Sequence, residues 1–250
     1  MPEHTPTDDL RCLVLVDPSE RGQGVGAALW DAMQPIFQAK RPNHLRANGN
    51  GTDPDSIAWA ERRGFVRAHH LLSQQLDLAD FEPASWLGGI RKAESQGFRF
   101  VPFCGLRSPE TERELHALYH ALLADTPDFT EGDYKAFEPW RAWAFESDGA
   151  WPDGWIMLVA PTGEWAGFTL MQRTPAGAHI FMTGVAPAHR GKGLAIPLKV
   201  AAALHARENG VAALTTLNHA ANERIVAVNR TLGYRVTEDV IRLVKRCAWE

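Results

Sequence analysis

The sequence predicts an α/β protein: a mixed, mostly parallel sheet flanked by helices, present as a partial N-terminal copy followed by a complete C-terminal one. A glycine-rich turn that occurs twice is the first reason. It reads VDPSERGQGVG from Val16 to Gly26 and GVAPAHRGKGLA from Gly184 to Ala195. The second reason is a constant register between the two, an offset of 169 (190 − 21) that carries Arg21 onto Arg190. The same offset takes Val16 to Val185, Pro18 to Pro187, Gly22 to Gly191, Gly24 to Gly193, Leu29 to Leu198, Leu45 to Leu214 and Gly64 to Gly233. Self-similarity at fixed spacing is the mark of a duplicated structural unit.

Each copy reads as strand, helix, strand, helix, strand. The apolar runs 12–16 (CLVLV) and 179–185 (HIFMTGV) have strand composition. Residues 22–38 and 191–208 follow as helices opened by the glycine turn, the second with Leu194, Leu198, Ala201 and Ala202 as an apolar stripe. Residues 212–217 read as a buried strand, 220–231 as a short helix, and Tyr234 to Val244 as the closing strand. Strand, helix, strand in succession favours parallel pairing. Ahead of the second copy the pattern predicts a strand at 98–104, helices near 109–123 and 132–146, and a hairpin pair at 155–160 and 166–173 around the turn Pro161-Thr162-Gly163. Only eleven residues precede the first copy, so its front half is expected to be missing. The domains are therefore expected at 1–80 (partial), 81–97 (a joining helix) and 98–250 (complete).

The bulk composition narrows the function. The chain has 250 residues, 45% hydrophobic and 22% charged, which is ordinary for a globular protein able to bury a core. A net charge of −4 argues against nucleic acid as partner, because phosphate neutralisation wants a basic face. Cys12, Cys104 and Cys247 are odd in number and scattered, so neither a disulfide framework nor a zinc site is expected. The opening MPEHTPTDDL has no basic segment leading into an apolar one, so no secretory signal is read there, and no apolar run reaches the roughly 20 residues that span a bilayer. A cytoplasmic protein without a membrane or nucleic-acid partner is expected, as monomer or homodimer.

A strand that ends in a glycine turn and opens a helix points several unpaired N–H groups outward, and with the helix dipole they form an anion site. A P-loop would need G-x-x-x-x-G-K-[ST], which neither copy has. The dinucleotide pattern G-x-G-x-x-G/A fits Gly22, Gly24 and Ala27 but fails in the second copy, where Ile196 holds the last place, and no acidic residue follows at the ribose distance.

Arg190-Gly191-Lys192-Gly193-Leu194-Ala195 and Arg21-Gly22-Gln23-Gly24-Val25-Gly26 both resemble the R/Q-x-x-G-x-G/A motif of the GNAT N-acetyltransferases. TGVAP at 183–187 and TTLNHAANERIVAVNRTLGY at 215–234 extend the likeness. It covers 98–250 as a complete domain and about 12–80 as a partial one, as in tandem members of that superfamily.

The resemblance implies acetyl-CoA as co-substrate, an amine of a small molecule or peptide as acceptor, and no metal. It implies that backbone around Thr183, Gly184 and Val185 bonds the pantetheine arm, that amides from Arg190 through Gly191, Lys192, Gly193 and Leu194 to Ala195 take the pyrophosphate, and that Asn218, Asn222 and Asn229 lie near the pantetheine and thiol end. Asn222 is equally a helix cap. Asn229 stands where many relatives place a tyrosine acid, and asparagine cannot supply that proton. His179 is the first candidate for a base, against a plain solvent-facing strand residue, with Asp125, Asp128 and Glu131 behind it.

Trp140, Trp143, Trp151, Trp155 and Trp165 line an acceptor pocket or fill the core. His116 and His120 share a helix face but lack the glutamate of a metalloprotease motif. Val16, Arg21, Gly22, Gln23, Gly24 and Gly26 mark a possible second cofactor site, read here as scaffold because Asp53 and Ala60 replace Asn222 and Asn229. The rival reading is a non-catalytic acyl-CoA-binding pseudoenzyme or sensor.

Overall fold

The computed structural model describes residues 9–126 and 134–249. The chain divides into two compact units, one running up to Leu71 and resuming at Glu238, the other spanning Leu72–Thr237.

The first unit holds β1 (Asp9–Arg11), α1 (Val25–Lys40), β2 (His44–Asn50) and α2 (Pro54–Glu61), then the start of β3 (Val66–Asp77). β1 pairs parallel with β2. The other side of β2 pairs antiparallel with the chain's last strand, β9 (Arg235–Arg246), from His44↔Arg246 to Asn50↔Val240. Trp30 of α1 anchors the core, with ring centroids 5.4 Å from Phe37 and 5.8 Å from Phe65, over Leu45, Ile57 and Leu243.

The second unit begins with the end of β3 and continues with α3 (Leu87–Ser95), β4 (Arg99–Pro102), α4 (Pro109–Leu123), α5 (Phe137–Glu146), β5 (Ile156–Val159), β6 (Trp165–Thr174), β7 (Gly177–Val185), α6 (Ala195–Glu208), β8 (Ala213–His219) and α7 (Glu223–Thr231). Its strands lie in the order β3-β8-β7-β6-β5-β4. Phe103, Trp140, Trp155, Met157, Phe168, Leu170 and Leu198 are buried at its centre, and the Trp155 indole N–H donates to the Met171 carbonyl at 2.7 Å. By the 169 offset β3 corresponds to β9, so the closing strand of each copy sits beside the penultimate strand of the other.

Four sequence expectations are corrected. The sheet is mixed, but of the ladders β4–β5, β5–β6, β6–β7 and β7–β8 only the last is parallel. The run 12–16 is not a strand: β1 ends at Arg11, and Leu13 and Leu15 are exposed. By the offset, Asp9–Arg11 corresponds to Ala178–Ile180, the segment of β7 that pairs with β8, and 12–16 corresponds to 181–185, which stays a strand because β6 pairs on its other flank. The first unit has no counterpart of β6 among its described residues, so 12–16 has no ladder to join. The helices expected from 22 and 191 begin at Val25 and Ala195, because Gly22, Gly24, Gly191 and Gly193 hold φ of 77°, 85°, 77° and 72°, outside the helical region. The helix expected from 132 is found at Phe137–Glu146, and residues 127–133 lie outside the described ones.

One buried group stands out. Lys199 of α6 is 2% exposed, its Nζ 5.2 Å from the centroid of the Tyr234 ring, where the offset places the Trp30–Phe65 contact of the first unit. Burial pushes the Lys199 ammonium down from 10.5 to about 7. Below that value the lysine is charged in both folded and unfolded chains, and folding bears the full burial cost, on the order of 5 kcal/mol by the pKa difference. The cost fades as pH rises from about 7 to 10.5, because only the unfolded chain then holds the proton. Lys199→Met is therefore expected to raise the urea midpoint, with a clearly larger gain at pH 6 than at pH 9.5. An equal gain at both values would show that the native lysine is not held neutral.

Candidate functional site

The central feature of the second unit is a gap between neighbouring strands. β7 and β8 pair at Ala178↔Leu214, His179↔Thr215 and Ile180↔Thr216, and no rung follows although β7 continues to Val185 and β8 to His219. The cause lies on the other flank of β7. There Leu170 faces Met182 and Met171 faces Ile180, which leaves Phe181 as an extra, bulged residue. A bulge bends its strand and increases local twist, turning β7 away from β8. Residues 181–185 are half-exposed in consequence, although β7 is an interior strand. Thr183, Gly184 and Val185 all lie on this open edge. Gly184 leaves room for α4, since a Cβ there would meet Cδ1 of Leu122 at 2.7 Å.

The open edge leads into the glycine turn. Arg190 Nε donates to the Val185 carbonyl at 2.9 Å, and the same guanidinium holds Asp125. His189 is buried; its Nε2 lies 2.9 Å from Glu164 Oε1, and its Nδ1 lies 3.4 Å from Lys192 Nζ. Gly191 and Gly193 take left-handed φ with open space where a side chain would stand. No side chain caps α6, whose N-cap is Leu194, so its first N–H groups are available to an anion. A cavity of about 770 Å³ borders the turn, lined by Lys92 and Gln96 of α3, Pro161, Lys192 and the two glycines among others.

Below the gap lies a buried carboxamide cluster. Asn229 is fully buried, and its Nδ2 donates to Gln74 Oε1 and to Asn218 Oδ1, each at 2.9 Å. Its Oδ1 has no partner. Asn218 lies on the unpaired end of β8 and also accepts from the Thr216 hydroxyl at 3.5 Å. Asn222 caps α7 by accepting from the Ile225 amide at 3.5 Å, as Asp53 caps α2 through Ser56 at 3.1 Å. Gln74 escaped the sequence reading. Its signal was a polar residue in phase with Leu72 and Leu76 on the inward face of β3.

His179 stands on the rung just before the last one, where the gap opens, with Nδ1 3.0 Å from Thr215 Oγ1. Burial pushes its pKa below the ordinary 6.5, so the imidazole is neutral at pH 7. It is half-buried rather than a plain solvent-facing residue. Phe181, Trp143 and Tyr119 form an aromatic wall on this unit, with centroids 5.0 Å apart for Trp143–Phe181 and 6.0 Å for Tyr119–Trp143. Trp140 and Trp155 are core residues at 0% exposure. Asp128 and Glu131 lie outside the described residues. His116 Nε2 donates to the Lys135 carbonyl at 2.8 Å, and the described residues contain no group of three or more metal-ligating side chains. No helix among the described residues is long and apolar enough to cross a membrane.

The first unit repeats the turn but not the constellation. Arg21 Nε lies 3.4 Å from the Val16 carbonyl, matching Arg190 and Val185. Its guanidinium is bound to Asp53 at 2.9 Å, as that of Arg190 is to Asp125, and Gln23 is turned back onto the Ser19 carbonyl at 3.2 Å. Leu10, Gly49 and Ala60 occupy the places of His179, Asn218 and Asn229.

The carboxamide cluster makes a stability prediction. Asn229→Ala strips the donor from Gln74 and from Asn218 inside the protein, and is expected to cost about 1–3 kcal/mol in chemical denaturation. A neutral result would show that the Gln74 and Asn218 oxygens find other partners.

Known proteins resemble this arrangement. Residues 115–234 match the acetyltransferase (GNAT) family. A mycothiol acetyltransferase of Renibacterium salmoninarum is 28% identical over 234 residues, which cover 88% of this chain and 63% of that protein. The chain thus spans less than two thirds of that relative's length. A GCN5-related N-acetyltransferase of Sphaerobacter thermophilus has the same fold, with a TM-score of 0.76 at 19% identity over 97% of this chain and 74% of that one. So does a tandem GNAT protein from the clavulanic acid biosynthesis pathway, with a TM-score of 0.65 at 23% identity, covering 97% of this chain and 76% of that one.

Proposed function

Because residues 115–234 belong to the acetyltransferase (GNAT) family, we propose that the second unit transfers the acetyl group of acetyl-CoA to a primary amine of a small molecule or peptide, at the gap between β7 and β8. The observation that carries this reading is the unpaired edge of β7 from Phe181 to Val185, continuous with an uncapped glycine turn. Backbone groups left without a ladder partner need other partners. A pantetheine arm has amides spaced to supply them, and a pyrophosphate suits the amides from Gly191 to Ala195. The residues present thus fit acetyl-CoA, which when bound supplies an activated acyl group as a thioester.

The chain's own groups account for the rest. The amine must lose a proton as it attacks, and His179, neutral at pH 7, is placed to take it. An N–H of the open β7 edge meets the oxyanion of the tetrahedral intermediate. Asn229 is not the acid, because both hydrogens of its carboxamide are given to Gln74 and Asn218. Its Oδ1 is buried as well, so Asn229 acts on the gap through Asn218, which it holds at the unpaired end of β8. The wall of Tyr119, Trp143 and Phe181 favours an acceptor with apolar surface next to its amine. The relatives' name makes the unacetylated form of mycothiol a natural member of the first amine panel. The first unit, with Leu10, Gly49 and Ala60 in the places of His179, Asn218 and Asn229, serves as scaffold in this reading.

Isothermal titration with acetyl-CoA is expected to give one site per chain, lost in Gly193→Trp, and a stoichiometry of two would refute the scaffold assignment. In a thiol-release assay, His179→Gln is expected to lower kcat by about 10²–10⁴. The wild-type rate should fall as pH drops through the His179 pKa, below 6.5, since only the neutral ring accepts a proton. Binding without turnover of any panel amine would favour the non-catalytic reading instead.

A further inference from the structure

We infer that Thr215 is a positioning residue that fixes the tautomer of His179, leaving Nε2 as the proton-accepting nitrogen, and that His179 thereby carries the transferred proton in both directions. The inference rests on the assignment of His179 as base. Its evidence is a directed chain of two hydrogen bonds. The Thr215 Oγ1 hydroxyl donates to the Ala178 carbonyl at 3.4 Å. A hydroxyl has one hydrogen, so an oxygen that gives it to the Ala178 carbonyl accepts from His179. With the hydrogen so assigned, His179 Nδ1, 3.0 Å away, carries its own hydrogen and Nε2 holds the lone pair.

The backbone makes this arrangement rigid. Ala178, His179 and Thr215 all belong to the three-rung parallel ladder that survives between β7 and β8, with His179 directly opposite Thr215. The pair stands at the closed end of the gap, one rung before the strands part. No hydrogen bond from a described residue is recorded to Nε2, while Nδ1 is engaged from within the ladder. Threonine also suits the position as a β-branched strand former, so the device costs the sheet nothing.

The tautomer supplies what Asn229 does not. As the amine nitrogen bonds to the thioester carbonyl carbon, one N–H proton passes to His179 Nε2. The C–S bond then breaks and the thiolate takes that proton from the imidazolium, so amine and thioester give amide and thiol with His179 restored. Nδ1–H stays on Thr215 throughout, and the Thr215 oxygen faces the transient positive charge. In the first unit Leu10 and Arg46 hold the corresponding positions, so the device belongs to the second copy alone.

The deciding experiment is nitrogen-15 imidazole NMR of the free protein at pH 7.5. Wild type and Thr215→Ser are expected to show His179 protonated at Nδ1 and bare at Nε2, whereas Thr215→Val should move it toward the Nε2–H form common in water. A wild-type His179 protonated at Nε2 overturns the inference, whether or not the variants fold. The kinetic companion uses acetyl-CoA with the panel amine that turns over fastest. Thr215→Val should lower kcat at least tenfold with KM for acetyl-CoA unchanged, and Thr215→Ser should restore most of it. Full activity in Thr215→Val also overturns the inference. Full activity in His179→Gln, with the tautomer as expected, would instead refute the base assignment on which it rests.

Discussion

The second unit is organised around backbone groups that lack a neighbour. Strands β7 and β8 share three rungs and then part, because the extra residue Phe181 bends β7 on its other flank. An interior strand edge with no partner is costly unless something supplies the missing hydrogen bonds. The surrounding features answer to this constraint. Gly184 lets α4 close over β7, the Gly191–Gly193 turn brings the uncapped start of α6 to the end of the gap, and Asn218 and Asn229 place a buried carboxamide oxygen beneath it. Each of these is unfavourable or neutral by itself, and together they describe a site shaped for an extended ligand with amides in its middle and an anion at one end.

Duplication explains why the same turn serves two ends. The Arg–carbonyl bond and the paired glycines at left-handed φ are repeated at one offset, as are the side-chain caps of α2 and α7 farther on, so the local geometry of the turn is stable without a ligand. The copies differ in the groups around it. Each arginine pairs with an aspartate, Arg21 with Asp53 and Arg190 with Asp125. The polar set of His179, Thr215, Asn218 and Asn229 is replaced in the first copy by Leu10, Arg46, Gly49 and Ala60. Both copies keep the frame of the turn, and the proposed chemistry rests on the polar set of the second.

Much of this was legible in the sequence, for physical reasons. Glycines that must hold positive φ cannot be replaced cheaply, so the turn shows itself in the letters, and the offset ties two weak patterns into a strong one. Strand direction was harder to read, because alternation reports which face is buried and says little about the neighbour. The run 12–16 misled for that reason: its apolar letters match 181–185, but strand structure there comes from β6, a partner the first unit lacks among its described residues. Gln74 and Thr215 were invisible as functional residues because their meaning lies in pairings across 155 and 36 positions. Gln74 left one local trace, a polar side chain at a core-phase place in a strand.

The most direct test of the central claim is amide hydrogen exchange on the intact chain with and without saturating CoA. If the gap is the cofactor site, amides of 181–185 and 191–195 gain protection together, while those of 22–26 do not change. CoA binding that leaves 181–185 unprotected, or that protects 22–26 instead, would contradict it.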